Sequence, residues 1–94
     1  VSHAVNRVYI TVLGTDRIGI VARIATMLSE RRVNIADINQ KIIDGIFTMV
    51  MMAEIDRCTV PLETLKGDLE AVGRELGLTV ALHHEAVFQA MHRI

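Results

Sequence analysis

The sequence predicts an α+β fold of the ferredoxin-like kind: a βαββαβ order, a four-stranded antiparallel sheet, two helices on one of its faces and a short C-terminal helix. Three observations predict it. Two stretches repeat apolar residues at helical spacing, four others are β-branched or alternating, and an Asp-Gly pair joins the middle two strands. Right-handed crossovers then put both helices on the same face and the second strand at the edge of the sheet.

The first strand is "VYITVL", with Val8, Ile10 and Val12 on one side and Tyr9, Thr11 and Leu13 on the other. After the glycine-bounded loop "GTDRIG", residues Val21, Ile24, Ala25 and Leu28 recur at i, i+3, i+4 and i+7, joined by Ile20 and Met27. Arg23 and Glu30 fall on the opposite side, and Arg31 and Arg32 suit the C-terminus of this helix. In the second strand Val33 and Ile35 share one parity while Ile38, Gln40 and Ile42 share the other, which predicts a bulge near Ala36 and Asp37.

Asp44-Gly45 is a two-residue hairpin turn, since both positions require positive φ. It sets Phe47 beside Ile42 and Met51 beside Ile38, and that shared face, with Met49, Ala53 and Ile55, is the expected core. The other face carries Ile43, Ile46, Val50 and Met52 among Asn39, Lys41, Thr48 and Glu54, an apolar content that suits a partner surface. Pro61 opens the second helix, Leu62, Leu65, Leu69, Val72 and Leu76 form its stripe, and Gly77 ends it. The last strand turns Leu78, Val80 and Leu82 inward, and Val87, Met91 and Ile94 space the tail as a short helix.

Ninety-four residues, 51% of them hydrophobic, suffice for one core. Residues 6–94 are read as a single domain, and 1–5 as an N-terminal extension or cloning remnant. Ten basic and eleven acidic residues leave a net charge of −1, so no field points to nucleic acid or an anionic membrane. The single cysteine, Cys58, suits a reducing cytoplasm, and no apolar run approaches the roughly twenty residues of a membrane span.

Gly14 and Gly19 have the glycine spacing of a phosphate loop, but Ile20 and Val21 stand where Lys and Ser or Thr are required. Two readings stay open for this loop: an anion site at the helix N-terminus, or Asp16 as a helix cap with Gly14 and Gly19 permitting a tight turn. His83 and His84 point to opposite faces of a strand and do not converge on a metal. An acylphosphatase-like use of Arg17 or Arg23 with Asn39 is the remaining enzymatic alternative, but the loop lacks that family's glycine-rich cradle. No Ser-His, Cys-His or paired-carboxylate set offers another chemistry. Five methionines fall mostly on core parities and read as gap fillers. The expectation is therefore a non-enzymatic protein without metal or cofactor.

The span from "VYITVLGTDRIGIVARIA" through "VNIADINQKIIDGIF" resembles an ACT domain, the small-molecule-sensing module of amino-acid metabolism. A D-R-x-G-I-V turn followed about a dozen residues later by N-I carries the resemblance. The whole chain is similar to short stand-alone ACT proteins of unassigned function, related to glycine cleavage system transcriptional regulators. The resemblance implies an effector pocket with one wall at Gly14, Thr15, Asp16, Arg17, Ile18, Gly19 and Ile20. The other wall, contributed by a neighbouring subunit, is Asn34, Ile35, Ala36 and Asp37.

What it implies is a regulatory homodimer that binds a small amino acid and signals through a separate output protein. Gly19 would let the ligand approach the backbone, amides at the helix start would take its carboxylate, Asp16 or Asp37 its ammonium, and Asn34 would orient it. The competing expectation is a constitutive interaction module that docks a partner on the outer sheet face.

Overall fold

A computed structural model describes residues 6–85. The chain runs β1 (Arg7–Thr15), α1 (Ile20–Glu30), β2 (Asn34–Ile43), β3 (Ile46–Glu54), α2 (Leu62–Leu76) and β4 (Leu78–His84). All neighbours in the sheet are antiparallel, in the order β2-β3-β1-β4, so β2 lies on one edge and β4 on the other. This is the expected ferredoxin-like topology. The tail helix expected around Val87, Met91 and Ile94 lies outside the described residues.

The local rules account for the elements. Asp44 and Gly45 have φ of 50° and 77°, the two positive values that match a tight turn to the strand twist. Ile42 pairs with Phe47 and Ile38 with Met51, and the register shifts between Ile35 and Asp37, where the parity of apolar residues switches. Gly77 ends α2 at φ 71°. Arg31 Nη1 donates to the carbonyl of Met27 at 3.1 Å, so a cation does serve the last turn of α1.

Buried side chains of β1 (Val8, Ile10, Val12), β3 (Phe47, Met49, Met51, Ala53) and β4 (Leu78, Val80, Leu82) meet Ile20, Ile24, Met27 and Leu28 of α1 and Leu65, Leu69 and Val72 of α2. Gly73 lets α2 press onto β4: a Cβ there would lie 2.8 Å from the Leu78 carbonyl oxygen and 2.8 Å from Val80 Cγ2. Two arginines tie α1 to α2, Arg23 Nε to Glu75 at 2.9 Å and Arg31 Nε to Asp68 at 2.9 Å.

One expectation about the core fails. Ile38 and Ile42 share the inward parity, yet they are 39% and 60% exposed, and no residue of β2 is buried. Only Ile35 packs partly against the core. The strand has isoleucines uncovered on both of its faces, because Ile43, on the outer side, is also 60% exposed.

Candidate functional site

Strand β1 continues through Gly14 and Thr15, so the connection to α1 is only Asp16–Gly19. Gly14 therefore does not make a turn. It pairs with Phe47 and Leu78, and a Cβ on it would collide with Leu78 Cδ2 and fall 3.3 Å from Leu78 Cα; glycine is present to admit β4. The turn residue is Gly19, at φ 90° with open space around its α-carbon.

Asp16 does not cap the helix, contrary to that sequence reading. The N-cap is Gly19, and no side chain accepts from the first turn. The amide of Asp16 instead donates to the carbonyl of Gly45 at 3.0 Å, fastening the loop to the β2–β3 turn. Arg17 Nη1 donates to the carbonyl of Leu76 at 3.3 Å, serving the C-terminus of α2. Ile18 is fully exposed and Ile20 is buried in the core. Thr15, Asp16, Arg17, Ile18 and Gly19 thus form the exposed part of the first expected wall.

The second expected wall sits at the other end of the sheet. Asn34 pairs with Glu54, itself opposite Arg7, whereas the loop leaves from Thr15, opposite Ile46. The nine residues of β1 separate these ends by roughly 27 Å at about 3.4 Å per residue. Asn34 Nδ2 donates to Glu54 Oε1 at 2.8 Å, and the Asp37 carboxylate accepts from the amide of Ile38 at 2.9 Å. Ala36 is exposed at the bulge and Ile35 is half-buried. One chain does not bring the two walls together.

At the Asn34 end lies a cleft of about 340 Å³ lined by Arg32, Asn34, Glu54, Asp56 and Arg57. Arg32 and Arg57 stand 25 positions apart, so no spacing signalled them. The amide of Thr59 donates to the carbonyl of Arg31 at 3.0 Å and pins their two segments together. On the outer sheet face a trough of about 370 Å³ runs between Asn39, Lys41, Ile43, Thr48 and Val50.

The acylphosphatase-like set does not assemble. Arg23 is held by Glu75 and Arg17 by Leu76, both on the helical side, while Asn39 lines the outer trough. Arg23 is thus a bridge between helices rather than a free cation. Its hydrogen bond holds the Glu75 carboxyl below the ordinary value and raises its own pKa in return. Among the described residues no group of three or more His, Cys, Asp or Glu is arranged to hold a metal ion, and no helix is long and apolar enough to cross a membrane.

The family pattern of the ACT domain matches residues 6–83. A UPF0237 protein of Methanocaldococcus jannaschii is 47% identical over 89 residues, spanning 95% of this chain and 99% of that protein. A UPF0237 protein of Listeria innocua is 40% identical over 88 residues, spanning 94% and 99%. Among solved structures, an ACT domain protein from Streptococcus pneumoniae superimposes with a TM-score of 0.79 at 31% identity, covering 92% of this chain and 97% of that one. A putative glycine cleavage system transcriptional repressor shares the fold, with a TM-score of 0.75 at 21% identity over 87% of this chain and 47% of its own.

Proposed function

This chain belongs to the ACT-domain family of non-catalytic regulatory modules that bind small ligands, and from that premise we propose that it binds a small amino acid between two subunits paired along β2. One observation carries the reading: the two expected walls lie at opposite ends of the same sheet, and the strand between them and the outside is uncovered. A two-fold axis through the middle of β2 makes the two edge strands antiparallel. The partner's Asn34 end then arrives at this subunit's Ile43 end. That is the end where the Gly45 carbonyl holds the Asp16 loop. Pairing also satisfies the open backbone groups of β2 and covers Ile38 and Ile42.

In that dimer the amides at the start of α1, which no side chain caps, are available to the ligand, with Asp16 beside them and the partner's Asn34 and Asp37 opposite. Binding at a shared interface changes the association of the subunits, and a separate output protein in the cytoplasm reads that change in the regulation of amino-acid metabolism. A second reading, a docking module without ligand, is favoured by the outer trough beside Ile43 and Val50.

Thermal unfolding of the purified protein against the twenty standard amino acids tests the first reading. A ligand at a hundred times its Kd stabilises the folded state by about 2.7 kcal/mol, and about 1 kcal/mol moves the Tm of such a domain by roughly 4–8 °C. A selective, saturable rise is expected. No rise at millimolar concentration would overturn amino-acid binding and favour the docking reading.

A further inference from the structure

We propose that Arg32 and Arg57 hold the carboxylate of the bound amino acid, so that the cleft at the start of β2 supplies the charge that anchors the ligand. The inference rests on the amino-acid reading above and adds to it two residues that neither the motif nor the loop contains.

The cleft is a built feature. Arg57 sits in the connection between β3 and α2, and the bond from the Thr59 amide to the Arg31 carbonyl fixes that connection against the turn that carries Arg32. Among the described residues neither guanidinium has an ion pair or a hydrogen bond, as is also true of Arg74 on α2, whereas Arg7, Arg17, Arg23 and Arg31 have partners. Glu54 and Asp56 share the cleft and are already engaged, Glu54 by the Asn34 side chain and Asp56 by the amide of Asn6 at 3.2 Å.

A second observation points to function at Arg32. It has φ 59°, the left-handed conformation, at the residue just past α1. Its amide donates to Ser29 and that of Val33 to Leu28, at 3.0 and 2.9 Å, the pairing in which the position is usually glycine. An L-residue there is strained. Stability alone selects glycine at this position, and an arginine with an unengaged guanidinium needs another reason.

The charge set defines the class of ligand. Two guanidiniums and two carboxylates sum to zero across one cleft, which gives no net attraction to a polyanion. A small zwitterion meets both signs: its carboxylate lies between Arg32 and Arg57, which replace the α1 amides as its anchor, and its ammonium lies between the free oxygens of Glu54 or Asp56 and the carboxylate of the partner's Asp16. Asn34, already in the expected wall, spaces the two ends. Across the β2 pairing this cleft faces the partner's loop, so the ligand is closed from both sides.

Isothermal titration of the intact protein with the twenty amino acids, and with the matching decarboxylated amines (methylamine for glycine, ethanolamine for serine), tests this together with two variants. Arg32→Gly is expected to raise the Tm and to weaken amino-acid binding by about tenfold or more, in line with losing a charge-assisted hydrogen bond. Arg57→Ala is expected to weaken binding to a similar degree with an unchanged Tm. The amines should bind far more weakly than the acids. If wild type binds an amino acid and both variants bind it equally well, or if the amine binds as tightly as the acid, Arg32 and Arg57 do not hold a carboxylate and the amino-acid reading stands without them. If wild type binds none of the panel, both readings fall.

Discussion

If two subunits pair along β2 as proposed, replacing Ile42 with Asp should split that dimer while leaving the subunit folded. Complete burial of an isoleucine contributes about 1.5–3 kcal/mol. With 60% of Ile42 still exposed in the single subunit, pairing along β2 stands to gain about 1–2 kcal/mol from each copy. The two-fold axis doubles the loss to about 2–4 kcal/mol, or roughly 30- to 700-fold in the dimer Kd at about 1.4 kcal/mol per decade. The unpaired carboxylate adds to that. Sedimentation velocity over a dilution series measures the constant, and circular dichroism checks that the exposed position leaves the fold intact. Val50→Asp, on the outer face, is the control and should leave the dimer unchanged. An unaltered constant for Ile42→Asp, or loss of the dimer only in Val50→Asp, would refute pairing through β2.

Asp16→Ala and Asn34→Ala should each weaken amino-acid binding by about tenfold without a change in Tm, since both side chains are exposed; calorimetric titration decides, and unchanged affinity would place the site elsewhere. Two glycines of α2 should respond with opposite signs. Gly67→Ala, with nothing within 4 Å of the added carbon, gains about 0.5–1 kcal/mol of helix stability, whereas Gly73→Ala forces the helix away from the Leu78 carbonyl and loses up to about 2 kcal/mol net in urea unfolding. The Arg23–Glu75 bridge should show itself in acid. The Glu75 carboxyl lies below its ordinary 4.5, so the bridge's contribution is complete above pH 4.5 and is lost as the pH falls through the folded value. Glu75→Gln should flatten that acid limb, and added salt should shrink the difference because both groups are exposed.

The sheet was legible in the sequence wherever a local rule decided it. The change of parity at Ala36 and Asp37 marked the bulge, and Asp44-Gly45 set the hairpin register to the residue. What parity does not show is how far the helical layer reaches. Ile38 and Ile42 read as core because they face the right way, but the core closes over β1, β3 and β4 and the edge strand stays bare. The loop misled for a related reason: Asp16 is a good capping residue, but the turn that enters α1 is made by Gly19 in the left-handed conformation, three residues later. Arg32 and Arg57 meet through a single backbone bond from Thr59 to Arg31, and no one-dimensional spacing announces a contact of that kind.

The bare edge also governs how this chain behaves when it is alone. Along the ten residues of β2 the backbone groups that face away from β3 are unpaired, with isoleucines above and below, and Asp37 and Lys41 are the only charges along it. Edge strands of soluble proteins are ordinarily short, bulged or guarded by charge. This one has a bulge between Ile35 and Asp37 and charges at Asp37 and Lys41, and leaves Ile42 and Ile43 exposed, so a subunit with that edge unoccupied offers a template for stray extended chains. Aggregation should therefore begin from the separated subunit, and whatever holds the edge occupied acts as the chain's own solubilising agent.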